Sequence, residues 1–241
     1  MKRIAIAIFL LSGLHSQVIS QTNLTKGFYL GGTLKNNGWG INCEYQTQIK
    51  SGLRKNWEFE FNTLKHSKEV NIVNPNARNP RTYVYGKLNK VGLLKVQSGV
   101  VKHVTDFRSY NNIQLSVGVS GGLSLAALKP VYLDIYHPNA SNDGLIISER
   151  YNPQEHVNQF DILGNSKPKY GWGELSFKWG VQVKPSINLH WGGLTGASRI
   201  LKVGVMGEYY PSGMPIMAKT DNPKLYFSIF LSFLIGNETE L

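Results

Sequence analysis

Several glutamates and lysines could carry chemistry, because they recur at positions that face one side of alternating segments. Glu58 and Glu60 stand two positions apart, and paired carboxylates can perform general acid–base catalysis. Buried charges of opposite sign instead neutralise one another and fill space. Because both signs are present, with Glu208 on the same side, we expect an interior ion network and not an acid–base site. Its predicted members are Glu44, Glu58, Glu60, Glu174, Lys95, Lys178 and Lys202.

Histidines are the next candidates for chemistry. Enzymes that hydrolyse or transfer acyl chains can use histidine with serine and an acidic residue. His66 precedes Ser67, and His137 lies three positions after Asp134, but no His-x-x-x-His spacing typical of a metal site occurs. We therefore predict a protein that is not an enzyme and has no catalytic residue, metal or cofactor, with a lipid-modifying enzyme as the alternative.

The N-terminus carries the features of an export signal. Lys2 and Arg3 precede a short apolar run, and permissive residues follow before Gln21. The run has about half of the ~20 residues that a spanning helix needs. We therefore expect a cleaved signal peptide over residues 1–20 and one domain over residues 21–241. Export also argues against nucleic acid as a partner, although the formal net charge is +11 and such a charge often indicates it.

The elements that must position these residues are strands. Apolar and polar residues alternate in at least seven segments after residue 25, and several segments reach ten residues. Only 17% of residues are charged, below the ~25% of ordinary soluble domains. We predict an all-β, closed antiparallel transmembrane barrel of about eight strands. The residues expected to face lipid include Trp57, Phe59, Phe61, Leu115, Val117, Phe177, Trp179, Phe227 and Leu231.

Connection lengths indicate one orientation of this barrel. Residues 66–82 and 137–169 are long connections, whereas 50–56 and 105–112 are short. Long loops of outer-membrane barrels are extracellular, so both termini are expected in the periplasm. The link 184–199 then falls on the periplasmic side, and residues 234–241 form a short periplasmic tail. Segments 83–106 and 112–136 exceed the length of a membrane strand, so we expect them to project above the membrane.

Basic residues on the first long connection suggest contact with lipid. Lipopolysaccharide carries phosphates, and cations at headgroup level pair with them. We expect such contact at Lys68, Arg78 and Arg81, with ordinary solvated loop charge as the alternative.

The sequence resembles the small outer-membrane β-barrel proteins that are abundant in Bacteroidota. The resemblance rests on the signal peptide with Gln21 at the mature start, the strands 57–61 and 171–183, the run 118–130 and the closing strand 224–235. It covers most of the mature chain and specifies a barrel, not an activity. Such barrels include accessory subunits of the β-barrel assembly machinery and of the type IX secretion machinery, so the resemblance implies a subunit of an outer-membrane complex.

The second long connection is the predicted docking segment. It is too apolar for a solvated disordered tail, and long loops in compact folds are usually functional. We predict that it binds other outer-membrane proteins or surface lipoproteins through Ile147, Tyr151 and Phe160. The expected function is thus a non-catalytic subunit in outer-membrane protein assembly. The alternatives are a type IX secretion accessory barrel, the lipid-modifying enzyme above and a stand-alone adhesin or carrier.

Overall fold

The structure is a computed structural model that describes residues 25–77, 79–105, 113–138, 144–192, 197–218 and 220–240. The predicted signal peptide lies outside these residues. Among the described residues, no helix is long and apolar enough to cross a bilayer. The strands are β1 (Thr25–Lys35), β2 (Gly38–Lys50), β3 (Leu53–Leu64), β4 (Asn71–Ile72), β5 (Tyr83–Val84), β6 (Asn89–His103), β7 (Gln114–Pro130), β8 (Tyr132–His137), β9 (Leu145–Arg150), β10 (Ile162–Asn165), β11 (Ser176–Trp191), β12 (Ser198–Tyr209) and β13 (Leu225–Glu240). Two short 3₁₀ helices span Gln159–Asp161 and Trp172–Glu174.

Eight of these strands close into one antiparallel barrel, in the order β1-β13-β12-β11-β7-β6-β3-β2. The first and last strands complete the ring, with Thr25 opposite Glu240 and Lys35 opposite Phe230. The predicted fold class is therefore confirmed. The period-two alternation is its cause, because a closed sheet must place one set of side chains outside and the other inside.

The outer wall of the barrel is apolar and the inner wall is polar. Outward positions include exposed Leu30, Phe59 and Leu123, and inward positions include buried Asn42 and Gln97. All nine residues expected to face lipid lie on the outer wall, and eight of them are exposed by at least 42%. The hydrophobic residues of this barrel therefore lie outside, the reverse of a soluble sandwich.

Two strands extend further than the sequence indicated. We ended one strand at Val183, but β11 continues through Pro185 to Trp191, so residues 192–197 alone link it to β12. The last strand continues through the expected tail to Glu240 and pairs with all of β1. Both corrections have one reason: cross-strand pairing continues through a lysine–proline step and through charged residues when a neighbouring strand is available.

We define the mouth end of the barrel as the end with the connections 36–37, 65–88, 131–175 and 210–224. The segments expected to project above the wall break into separate elements there. The chain leaves the barrel after Pro130, which ends β7, and Val131 donates to the carbonyl of Leu88 at 2.9 Å. A three-stranded sheet, β10-β8-β9, and the short hairpin β4-β5 stand above the mouth. We call the three-stranded sheet the mouth sheet.

Candidate functional site

The centre of the lumen is an ion cluster built across the barrel. Glu58 and Glu60 point inward from β3, and Lys184 reaches them from β11. Lys184 Nζ lies 2.8 Å from Glu58 Oε1 and also pairs with Glu60, and all three side chains are at most 2% exposed. Asn42 donates to Glu58 at 3.1 Å, and Gln97 donates to Glu60 at 2.9 Å. The amides satisfy carboxylate lone pairs that the lysine leaves open.

Two further ion pairs flank this cluster. Lys202 pairs with Glu44, which also accepts a hydrogen bond from Gln46 at 2.9 Å. Lys95 lies 2.7 Å from Glu208, and both side chains are fully buried. Cross-lumen side chains therefore occupy the space inside the eight strands, as they do in small barrels. The arrangement is that of an ion network that fills the lumen, since each cluster carboxylate is already paired with a cation.

The structure brings together five of the seven residues expected in the network: Glu44, Glu58, Glu60, Lys95 and Lys202. Glu174 is not among them. It lies in the exposed 3₁₀ helix before β11, where it pairs with Arg150 at 3.2 Å. Lys178 lies on the inward phase of β11 but near the mouth, where it is half-buried. Both were misplaced because we started and ended this strand too early along the chain.

Lys184 is the residue that sequence reasoning missed. We had placed it in the periplasmic link 184–199, since we ended the strand at Val183. The alternation continues beyond Pro185, with Ile187, Leu189 and Trp191 on the outer wall. That continuing period of two is the signal that could have identified Lys184 as an inward cation.

A separate network closes the opposite end of the lumen. Arg54 makes two bonds to Glu238, at 2.9 and 3.1 Å, and Tyr29 donates its hydroxyl to the same carboxylate. Glu238 belongs to the segment that we expected to be a tail. At the same end of the barrel, the rings of His103 and His190 meet edge to face, 5.6 Å apart.

The mouth is covered by the connection between β12 and β13, residues 210–224, which we call the mouth plug. Tyr210, Met214 and Ile216 are fully buried and pack against inward side chains such as Leu93. Asn222 holds the turn, accepting from the amides of Ile216 at 2.9 Å and Met217 at 3.0 Å. The sequence contained a signal for this plug, since two methionines and an isoleucine occur in an otherwise turn-like segment. Only the structure shows that these side chains are buried at the mouth of the barrel.

The mouth sheet has a core of its own. Leu133, Ile135 and Ile162 are buried together with Tyr83 and Tyr151. Tyr151, expected on the docking surface, is 4% exposed, so that prediction was wrong. Burial, together with the neighbouring Tyr85, raises the pKa of Tyr151 to about 12.

Ile147 and Phe160, the other two expected docking residues, are exposed at 43% and 62%. Ile147 lies on β9 beside Leu145 and Ile146, which are each 61% exposed. β9 is an edge of the mouth sheet, and among the described residues none makes a backbone hydrogen bond to its outer side. The opposite edge is covered: Arg81 donates its amide to Leu163, and Asn165 donates to Thr82.

Asp134 is the polar centre of the mouth sheet. It accepts from Ser148 at 2.6 Å, from Ser166, and from Arg81. Burial alone would raise the pKa of this carboxyl, but the three donors outweigh burial and lower it below its ordinary value.

The basic residues expected at lipid headgroups lie in different surroundings. Arg81 is committed to Asp134, Lys68 is exposed beside His66, and Arg78 lies outside the described residues. Arg81 therefore has a protein partner for its charge, while its side chain remains 49% exposed. Contact with lipid headgroups at Lys68 and Arg81 stays a prediction.

The candidate catalytic residues do not assemble into a triad. His66 accepts from the amide of Lys68 at 3.2 Å, and His137 contacts Glu149 at 3.1 Å, not Asp134. Residues 118–122 match Gly-x-Ser-x-Gly, but Ser120 lies inside β7, buried and 3.5 Å from the carbonyl of Lys184. A nucleophile elbow needs a strand-to-helix turn. In the described part of the chain, no group of three or more His, Cys, Asp or Glu could hold a metal ion.

Comparisons with known proteins give little beyond this geometry. No protein-family model and no curated protein sequence matches the chain. Among solved structures, Neisserial surface protein A has a TM-score of 0.38 and 8% identity, over 91% of this chain and 98% of that one. Ail, the attachment invasion locus protein of Yersinia pestis, has a TM-score of 0.36 and 8% identity, over 90% of this chain and 97% of that one.

Proposed function

We propose that this protein is a non-catalytic β-barrel of the outer membrane that serves as a docking subunit of an outer-membrane protein complex. The observation that carries the proposal is the apolar edge of β9, which pairs with no other described residue, on a sheet that stands above a filled barrel. The barrel is the anchor, and the mouth sheet is the part that meets the partner.

The outer wall supports the membrane location. It exposes a continuous surface of large apolar side chains around all eight strands, including Phe28, Trp39, Val96, Val181 and Ile229. Monomeric soluble proteins rarely expose apolar patches above a few hundred Å². A closed barrel satisfies its backbone hydrogen bonds internally, so such a wall is stable in hydrocarbon.

The absence of catalysis is part of the proposal. The carboxylates of the central cluster are held by cations and amides, His137 is engaged by Glu149, and Ser120 lies within a strand. Each of these named groups is therefore held by a protein partner or enclosed within a strand.

The edge of β9 supports docking. Exposed apolar edge strands invite pairing with another chain, and proteins usually cover or charge them. Here one edge of the mouth sheet is covered and the other presents Leu145, Ile146 and Ile147. A partner strand added along β9 would satisfy its open backbone groups and bury these side chains.

The partner that we propose first is the β-barrel assembly machinery, because the resemblance of the sequence points to its accessory subunits. The type IX secretion machinery is the alternative, and its surface proteins would then occupy the same edge. A lipid-modifying enzyme is a second alternative, which needs a triad at the rim that the described residues do not form.

The test is a pull-down in mild detergent from cells that carry a triple variant, Leu145→Ser, Ile146→Ser and Ile147→Ser. We expect the barrel to reach the outer membrane in normal amount and the co-purified partners to fall at least tenfold. A matched control, Val70→Ser with Val73→Ser, removes exposed apolar side chains on another connection. Retention of all partners at full stoichiometry by the triple variant would contradict docking at β9. Mass spectrometry of the bound proteins distinguishes the two machineries.

A further inference from the structure

Three lysines form a row at the upper border of the apolar wall. The outward side chains in the mouth half of β3, β6 and β7 are apolar or small. At the mouth end of each strand, the next outward residue is a lysine: Lys65, Lys90 and Lys129. Lys90 lies directly opposite Lys129 in the register, and the pairing of Leu64 with Val91 brings Lys65 beside Lys90. Like charges on facing positions of a sheet repel one another, so this row is unfavourable without a counter-ion.

The surroundings of the row leave it positively charged. Lys65, Lys87 and Lys90 line a cavity of about 230 Å³ together with Glu69. Glu69 pairs with Lys87. Among the described residues, no carboxylate lies within ion-pair distance of Lys65, Lys90 or Lys129. The cavity therefore presents two uncompensated cations, and Lys129 stands next to them.

An aromatic side chain marks the same level. Trp172 is 62% exposed, its indole donates to the carbonyl of Pro168 at 3.1 Å, and Lys129 Nζ lies 4.6 Å from its ring centre. Exposed tryptophan beside lysine, directly above a lipid-facing wall, is typical of the boundary between hydrocarbon and headgroups.

We infer that Lys65, Lys90 and Lys129 form a binding site for the phosphate groups of an outer-leaflet lipid. The inference rests on the membrane location in the proposed function, but not on docking at β9. A phosphate monoester between these lysines accepts charge-assisted hydrogen bonds from two ammonium groups and relieves their repulsion. The acyl chains of the same lipid then lie along Leu94 and Leu125, which stand below the lysines on the outer wall.

The experiment compares lipids that differ only in phosphate. The full barrel in detergent is titrated with lipid A carrying two phosphates and with the same lipid A after phosphate removal, and bound lipid is counted by native mass spectrometry. Inorganic phosphate forms a third arm. The test variant is Lys65→Gln, Lys90→Gln and Lys129→Gln. The control, Lys50→Gln, Lys55→Gln and Lys102→Gln, removes the same charge from the opposite end of the barrel.

We expect the wild type and the control to prefer the phosphorylated lipid. The test variant should bind it roughly 30- to 140-fold more weakly, because two or three lysines each contribute about 1 kcal/mol at a charged lipid surface. Equal binding of both lipids by the wild type, or equal losses in the two variants, would overturn the inference. Binding of inorganic phosphate as tight as that of lipid A would make this a site for soluble anions instead. Flotation with neutral phosphatidylcholine vesicles separately tests membrane insertion, so failure of the proposed location is recognised independently.

Discussion

At the scale of single residues, the side chains that fill the lumen are buried charges, and the removal of any one of them is expected to destabilise the barrel. Lys184 is the cation that Glu58 and Glu60 share, and all three are buried. Removing one partner of a buried ion pair leaves an uncompensated charge, whereas replacing all members together is often nearly neutral. The cluster is thus a set of mutually dependent side chains.

Lys184→Met should destabilise the barrel by about 3–5 kcal/mol, because the buried carboxylates of Glu58 and Glu60 then lose the lysine with which both are paired. Urea unfolding of the barrel refolded in lipid measures the change. Lys178→Met, a half-buried lysine on the same strand, serves as the control and should cost less than about 1 kcal/mol. Adding Glu58→Gln and Glu60→Gln to Lys184→Met should recover most of the stability, and no recovery would contradict a charge-based cost.

Asp134 should make the mouth sheet sensitive to acid. Its pKa is lowered in the folded state by the donors Ser148, Ser166 and Arg81, so its contribution is fully present above the ordinary value of about 3.9. The contribution is lost as the pH falls through the lowered pKa, because the protonated carboxyl no longer attracts Arg81. Near-ultraviolet circular dichroism during heating should show wild type more stable than Asp134→Asn at about pH 6. The difference should shrink toward about pH 2.5, and a constant difference would contradict this role.

At the scale of strands and sheets, two side chains with the same exposed fraction can face different surroundings, depending on the sheet to which they belong. Val117 on β7 and Ile147 on β9 are both 43% exposed. Val117 lies on the barrel wall and Ile147 on the sheet above the mouth. The first therefore faces lipid and the second faces water or a partner, according to the proposed location.

Val181→Arg should cost roughly 2–4 kcal/mol of stability in lipid, because Val181 is also 43% exposed and faces Leu123 in the middle of the apolar wall. Ile147→Arg is matched in exposure and should leave the stability within about 0.5 kcal/mol. Reversible unfolding from phosphatidylcholine vesicles measures both. Similar small effects at the two positions would contradict a lipid-facing wall.

At the scale of the whole molecule, the barrel is closed in layers. The mouth plug covers the top, the ion network fills the centre, and the Arg54–Glu238 pair with Tyr29 closes the far end. An eight-stranded barrel has an interior that side chains just fill. From these layers we expect that water has no continuous path through the barrel.

Planar-bilayer recording should therefore show no steady conductance for the wild type. Replacing residues 211–223 by a short Gly-Ser link removes the mouth plug and leaves the ion network in place, so this variant should also stay closed. An open channel in the variant alone would mean that the plug, not the lysine–glutamate network, seals the barrel.

The sequence by itself determined the closed barrel, its approximate strand number and the side of the wall that each residue faces. The physical reason is local: a strand alternates its side chains strictly, so Phe59 and Glu58 must face opposite ways wherever the strand lies. For the same reason the sequence could predict that Glu44, Glu58, Glu60, Lys95 and Lys202 share one interior.

Tertiary structure alone decided which of these charges meet and what covers the mouth. Lys184 finds Glu60 across the lumen from a position 124 residues away, and Glu238 pairs with Arg54 because the last strand closes on the first. The mouth plug and the buried Tyr151 likewise depend on contacts between connections that are distant in sequence. Such contacts are set by barrel closure and register, which no local period of hydrophobicity encodes.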